Sequence, residues 1–193
     1  MIPRLLAGAA LALGFGGAAC AADLGVCAWE RLPANERGPV IAAYQRDLRT
    51  GANTLKAFDS EIRAGAAACG ATPGLPVFMV RTATIAEAMQ VSMAQVLSSA
   101  RGLDRPQLDA AWADASPGLK ACFLNSAAKL YHLRPPACPD PRTTLLLVQN
   151  LGIPAIPGQR TAARAALVYF AGKAESEYAN AIVAMYARGK LHP

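Results

Sequence analysis

The side chains of this 193-residue chain that could carry chemistry are few: five cysteines, two histidines, thirteen carboxylates and a methionine pair, Met89 and Met93, one helical turn apart. The cysteines are the most informative. Cys20 lies in an N-terminal apolar stretch, which leaves Cys27, Cys69, Cys122 and Cys138. No CxxC or CxxxH spacing occurs among them, so neither a zinc site nor a c-type haem attachment is indicated. No metal and no cofactor is expected. An even number of cysteines in an exported chain reads as disulfides. Four allow three pairings, and the local choice is Cys27–Cys69 with Cys122–Cys138. In the loop-entropy description, loops of about 42 and about 16 residues stabilise by ~4 and ~3 kcal/mol.

The histidines do not assemble a catalytic set. His132 lies in a Pro-rich segment beside Arg134, and His192 is next to last in the chain. No G-x-S-x-G, H-E-x-x-H, P-loop, G-x-G-x-x-G or EF-hand pattern is present. Glycoside hydrolysis would need two carboxylates flanking one cleft. Glu30, Glu36, Asp59 and Glu61 are the candidates for it, although Asp59 and Glu61 fall on different sides of one helix. Asp109 and Asp114 read as solvent-facing. Glu87 reads as the partner in a capping box, Thr84-Ile85-Ala86-Glu87. Met89 and Met93 resemble soft ligands for copper(I), but methionines on one helix face ordinarily fill a core.

Arg160 and Arg164 are the sharper feature. Wound as a helix they share a side with Leu167, Ala171 and Tyr178, at the helix end where the dipole disfavours cations. They would there meet an acidic partner or an anion, helped by the free amides of that end. The simpler alternative is that the bundle ends before Leu167 and both reach water over their apolar stems.

The compartment follows from residues 1–21. A basic Arg4, an apolar run from Leu5 to Phe15 and the small residues Ala19-Cys20-Ala21 form the three-part pattern of a cleaved signal peptide. The run is shorter than the ~20 residues that span a bilayer. A lipoprotein modified at Cys20 is disfavoured, because Gly17-Ala18-Ala19 lacks a large apolar residue at −3. Residues 22–193 are then one domain, periplasmic or secreted, long enough to bury a core. The formal charge of +6, lowered by one with Arg4, is scattered. Without a basic block or interleaved aromatics it does not indicate a nucleic-acid partner.

The elements that must position these residues are helices. The longest is expected from Arg160 to Arg188, about 44 Å at 1.5 Å per residue, with Leu167, Phe170, Ala174, Tyr178 and Ile182 in one stripe. Ala162, Ala166, Tyr169 and Val183 on its other side require neighbours there too. Asp23 to Leu32 is expected as an ordered arm tied down by Cys27 and Trp29. A helix holding Val40, Ile41, Tyr44 and Leu48 stops near Gly51 and either begins at Pro39 or kinks there. A second stripe runs from Leu55 to Cys69 and ends at Gly70. The Thr84 helix stops at Gly102. Asp104 with Pro106, Ser116 with Pro117 and Asp140 with Pro141 each open a further helix. The fold class is therefore all-α: an irregular, disulfide-stabilised bundle of about seven helices with a long C-terminal helix.

The functional expectation is correspondingly coarse. It is an exported, non-catalytic binding or interaction module of the cell envelope that engages a protein. The alternatives are a carboxylate-dependent hydrolase of envelope material and a carrier of a small apolar ligand. No stable membrane span remains after leader cleavage.

Overall fold

The computed structural model describes residues 23–130, 136–138, 140–154 and 156–189. The leader, Cys20, His132 and His192 lie outside the described residues. The regular elements among the described residues are helices joined by short connections: α1 (Leu24–Arg31), α2 (Ala34–Arg46), α3 (Leu48–Lys56), α4 (Asp59–Ala68), α5 (Val77–Arg101), α6 (Arg105–Asp114), α7 (Pro117–Leu130), α8 (Thr143–Asn150) and, after a 3₁₀ turn, α9 (Arg160–Ala187). No strand occurs among the described residues.

The long helices α5 and α9 pack along one another and form the centre, with α1, α2 and α4 against α5 and α7 and α8 against α9. Tyr169 and Phe170 of α9 are fully buried. Phe170 stacks on Trp112 of α6 at 5.9 Å between centroids and meets Phe123 of α7 edge-on at 6.0 Å. This cluster ties three helices through geometries that aromatic quadrupoles favour. On the other side α1 lies close enough to α5 that a Cβ on Gly25 would come within 2.3 Å of the Ala83 carbonyl oxygen. Only glycine fits this crossing.

Both expected disulfides form. Cys27–Cys69 links α1 to the C-terminal end of α4, and Cys122–Cys138 links α7 to the segment before α8. Several local signals hold as read. Asp104 makes a complete capping box with Gln107. Gly102 ends α5 in the left-handed region at φ 67°, and Gly70 turns with φ 77° after α4.

The segment from Asp23 to Leu32 is ordered and tied down by Cys27 and Trp29 as expected, and its form is a helix, α1. Two expectations are corrected, the stop near Gly51 and the capping box at Thr84. The stop near Gly51 lies earlier, at Asp47, whose extended backbone and side chain cap α3 through the Thr50 amide at 2.8 Å. Gly51 is inside α3 because the Tyr44 ring occupies the space of a Cβ, 2.3 Å away. Of the two readings of Pro39, the one that places it inside a helix holds, because α2 starts at Ala34. The capping box at Thr84 does not exist: α5 begins at Val77, and the buried Thr84 hydroxyl bonds the Val80 carbonyl in mid-helix. That last change frees Glu87 for a different role.

Candidate functional site

Once α5 is continuous, Glu87 and Gln90 project from its buried side. A carboxylate carried into a helix bundle must acquire a partner or take up a proton. Glu87 acquires Arg105, the first residue of α6. The Asp104 cap starts α6 at that point, so the guanidinium reaches back to α5 and pairs both carboxylate oxygens, Nη1 to Oε1 at 2.5 Å and Nη2 to Oε2 at 2.8 Å. The Glu87 side chain is 4% exposed and that of Arg105 36%.

The pair floors a cleft of about 190 Å³ whose walls come from four parts of the chain. The N-terminal end of α1 supplies Asp23 and Val26, α5 supplies Glu87 and Gln90, α6 supplies Arg105 and Trp112, and α9 supplies Lys173, Ser176, Glu177 and Asn180. Its polar groups are interlocked. The Trp112 indole N–H donates to Glu177 Oε1 at 2.6 Å. Behind the wall, Asp109 Oδ1 accepts from the Tyr169 hydroxyl at 2.8 Å and from Lys173 Nζ at 2.9 Å. Asp109 thus engages α9 while its side chain stays 40% exposed, so the solvent-facing expectation holds and the partners on α9 are added to it.

Burial dominates the electrostatics. It pushes the Glu87 carboxyl above its ordinary value of 4.5, with Arg105 pulling the other way. It raises Asp23 above 3.8, partly offset by Lys173 and Arg105. The Glu87 carboxylate holds the Arg105 guanidinium protonated even more firmly than usual. Burial and the hydrogen bond to Asp109 raise the Tyr169 hydroxyl.

The residues singled out from the sequence are placed elsewhere. Arg160 and Arg164 are exposed at the start of α9 and form no ion pair among the described residues. The bundle does not end before Leu167: Ala162, Ala165 and Ala166 are buried on the other face of the same turns. Arg164 borders a hollow of about 90 Å³ lined by Tyr44, Met93, Val96 and Val168. The Tyr44 hydroxyl is buried without a hydrogen-bond partner, and burial lifts it far above its ordinary value of 10.0. Met89 and Met93 are core residues. Asp59 pairs with Arg81 at 2.6 Å, Glu61 accepts from Ser60, and Glu30 is exposed on α1. Glu36 is on α2, part-buried. None of these four carboxylates lines the cleft.

The sequence reading missed the cleft because its residues are far apart in the chain. The usable signal was Glu87 itself, a carboxylate between Ala86 and Ala88 on a helix whose adjacent turns carry Ala83, Ile85, Met89 and Val91. Comparison with protein-family models, curated proteins and solved structures finds no match for this chain.

Proposed function

We propose that the chain is an exported helical module that works by binding, and that the cleft between α1, α5, α6 and α9 is its ligand site. The observation that carries this is the Glu87–Arg105 pair. A buried ion pair is weak as a source of stability, since apolar side chains of similar volume commonly do as well or better. Here it is kept at the floor of an open cleft whose other walls are also polar.

Two features favour binding over acid–base catalysis at this position. Both Glu87 oxygens are occupied by Arg105, and Glu177 and Asp109 already accept from Trp112, Tyr169 and Lys173. A general acid or base must exchange a proton with substrate at its own oxygen; at the floor of the cleft both Glu87 oxygens are committed to Arg105, which leaves Asp23 at the edge and one oxygen of Glu177 as the unengaged carboxylate oxygens of the lining. The small-ligand-carrier alternative is less well supported. The 90 Å³ hollow beside Tyr44 has room for only about three waters at ~30 Å³ each, and the larger hollow of about 370 Å³ between α4 and the start of α5 is more open to solvent than the dry interior an apolar cargo needs. Export rests on the leader pattern, and the two disulfides and the lack of a helix long and apolar enough to cross a membrane among the described residues are compatible with it.

Ligand-observed NMR against a panel of small polar fragments tests the cleft. Hits are expected that disappear in Ser176→Arg, which fills the cleft from α9 without touching the ion pair. A panel with no hit sensitive to this substitution overturns the reading.

A further inference from the structure

Resting on the cleft as ligand site, we infer that it selects a primary alkylammonium group. The first reason is charge. Asp23, Glu87, Glu177 and the adjoining Asp109 face only Arg105 and Lys173, an acidic excess within a chain whose formal charge is +6. A cation entering the cleft is therefore drawn in locally although the molecule as a whole repels it.

The second reason is independent of charge and concerns hydrogen-bond direction. Gln90 is 2% exposed and lines the cleft. Its Nε2 donates to the Ala86 carbonyl at 3.1 Å. That contact fixes which end of the amide is which, because a carbonyl can only accept. Oε1 is left as an acceptor at the cleft surface that receives no hydrogen bond from the described residues. The Asp23 carboxylate likewise receives none, although Asp23 is the N-cap of α1. Glu177 uses Oε1 for the Trp112 indole, which leaves Oε2. Three acceptors thus wait on one cleft, while Arg105 and the Trp112 indole already serve carboxylates and Lys173 gives one of its three N–H groups to Asp109. An alkylammonium brings three N–H donors and no acceptor, the complement of this set. A carboxylate or phosphate brings only acceptors and would face Asp23 and Glu177 unmatched.

The third reason is size. A cleft of about 190 Å³ corresponds to about six waters at ~30 Å³ each. That is room for an ammonium on a short alkyl chain, whether it arrives as a free amine or as a lysine side chain.

The test uses the purified chain with both disulfides formed and follows the indole N–H resonance of Trp112, assigned by Trp112→Phe. The probes are n-pentylamine, 1-pentanol and pentanoate, which share size and differ in charge and donors. Pentylamine is expected to shift the Trp112 resonance, and the other two are not. Asp23→Asn, which lies at the mouth and leaves the core intact, is expected to weaken pentylamine about tenfold, as loss of one charge-assisted hydrogen bond implies. A capped lysine-containing tripeptide serves as a second arm. Its binding alongside pentylamine assigns a lysine side chain, and pentylamine alone assigns a free amine. A shift by pentanol or pentanoate equal to that by pentylamine overturns the alkylammonium inference and leaves the cleft as a ligand site. Silence from all probes, with no fragment sensitive to Ser176→Arg, overturns both.

Discussion

Arg105→Met removes the only cation that pairs both oxygens of Glu87, and the consequence can be worked from the geometry. The carboxylate stays in a site where its side chain is 4% exposed. Breaking a buried pair by deleting one member costs about 3–5 kcal/mol. Arg105 itself is 36% exposed, so part of its charge was already solvated and the lower end, about 3 kcal/mol, applies. For a domain of this length that lowers the melting temperature by roughly 6–12 °C. The pH dependence gives a second handle. Burial already places the folded-state pKa of Glu87 above its unfolded value of 4.5, and loss of Arg105 raises it further. A carboxyl with a raised folded pKa contributes full stability below the unfolded pKa and loses it as pH rises through the folded value. The variant is therefore expected to approach the parent on acidification toward that unfolded value. Urea denaturation at neutral and mildly acidic pH, for Arg105→Met, Glu87→Gln and the double variant, measures this. In the Glu87→Gln background the same Arg105→Met change is expected to cost far less, because no charge is stranded. A cost below about 1 kcal/mol at neutral pH, or one that Glu87→Gln does not reduce, refutes the assignment of the pair as a buried charge couple.

Glu175 of α9 provides a second pH-dependent case: burial lifts its carboxyl from 4.5 to about 7, so stability is full below 4.5 and falls as pH passes through 7. Glu175→Gln is expected to stabilise above neutral pH by up to about 3 kcal/mol, read as a flattened melting temperature against pH; an unchanged profile refutes it. Replacing Cys27 and Cys69 by Ser is expected to cost about 4 kcal/mol and the Cys122–Cys138 pair about 3 kcal/mol in denaturant titrations, and the reverse order would contradict the loop-length account. Gly25→Ala sets two effects against each other. Helix propensity alone favours Ala by about 0.5–1 kcal/mol, but the 2.3 Å approach to the Ala83 carbonyl forces α1 off α5, and a net loss of about 1–3 kcal/mol is expected; a gain in melting temperature would show that α1 is not seated there.

Much of the architecture is written in interactions that span only a few residues, and these are legible in the order of the amino acids alone. The cap at Asp104 with Pro106, the stops at Gly70 and Gly102 and the unbroken run into α9 are local in this sense; the disulfides, 42 and 16 residues across, were legible instead from the even number of cysteines and their order in the chain. Periodicity also marked Met89 and Met93 as core. The misreadings came where a local signal competed with packing. Thr84 and Glu87 have capping-box spacing, but Val77 to Ala83 continue the helix, with Val80 and Ala83 buried on its inner side, so α5 runs through. The face of α9 that is buried at its start could not be chosen from the sequence, because apolar residues lie on both sides of Arg160 and Arg164. The cleft belongs wholly to the tertiary structure. Glu87 meets Arg105 eighteen residues on, and Trp112 meets Glu177 sixty-five residues on. Whether a carboxylate is solvated, paired or open to a ligand depends on what the rest of the chain places within a few ångströms of it, and no pattern confined to one helix carries that information.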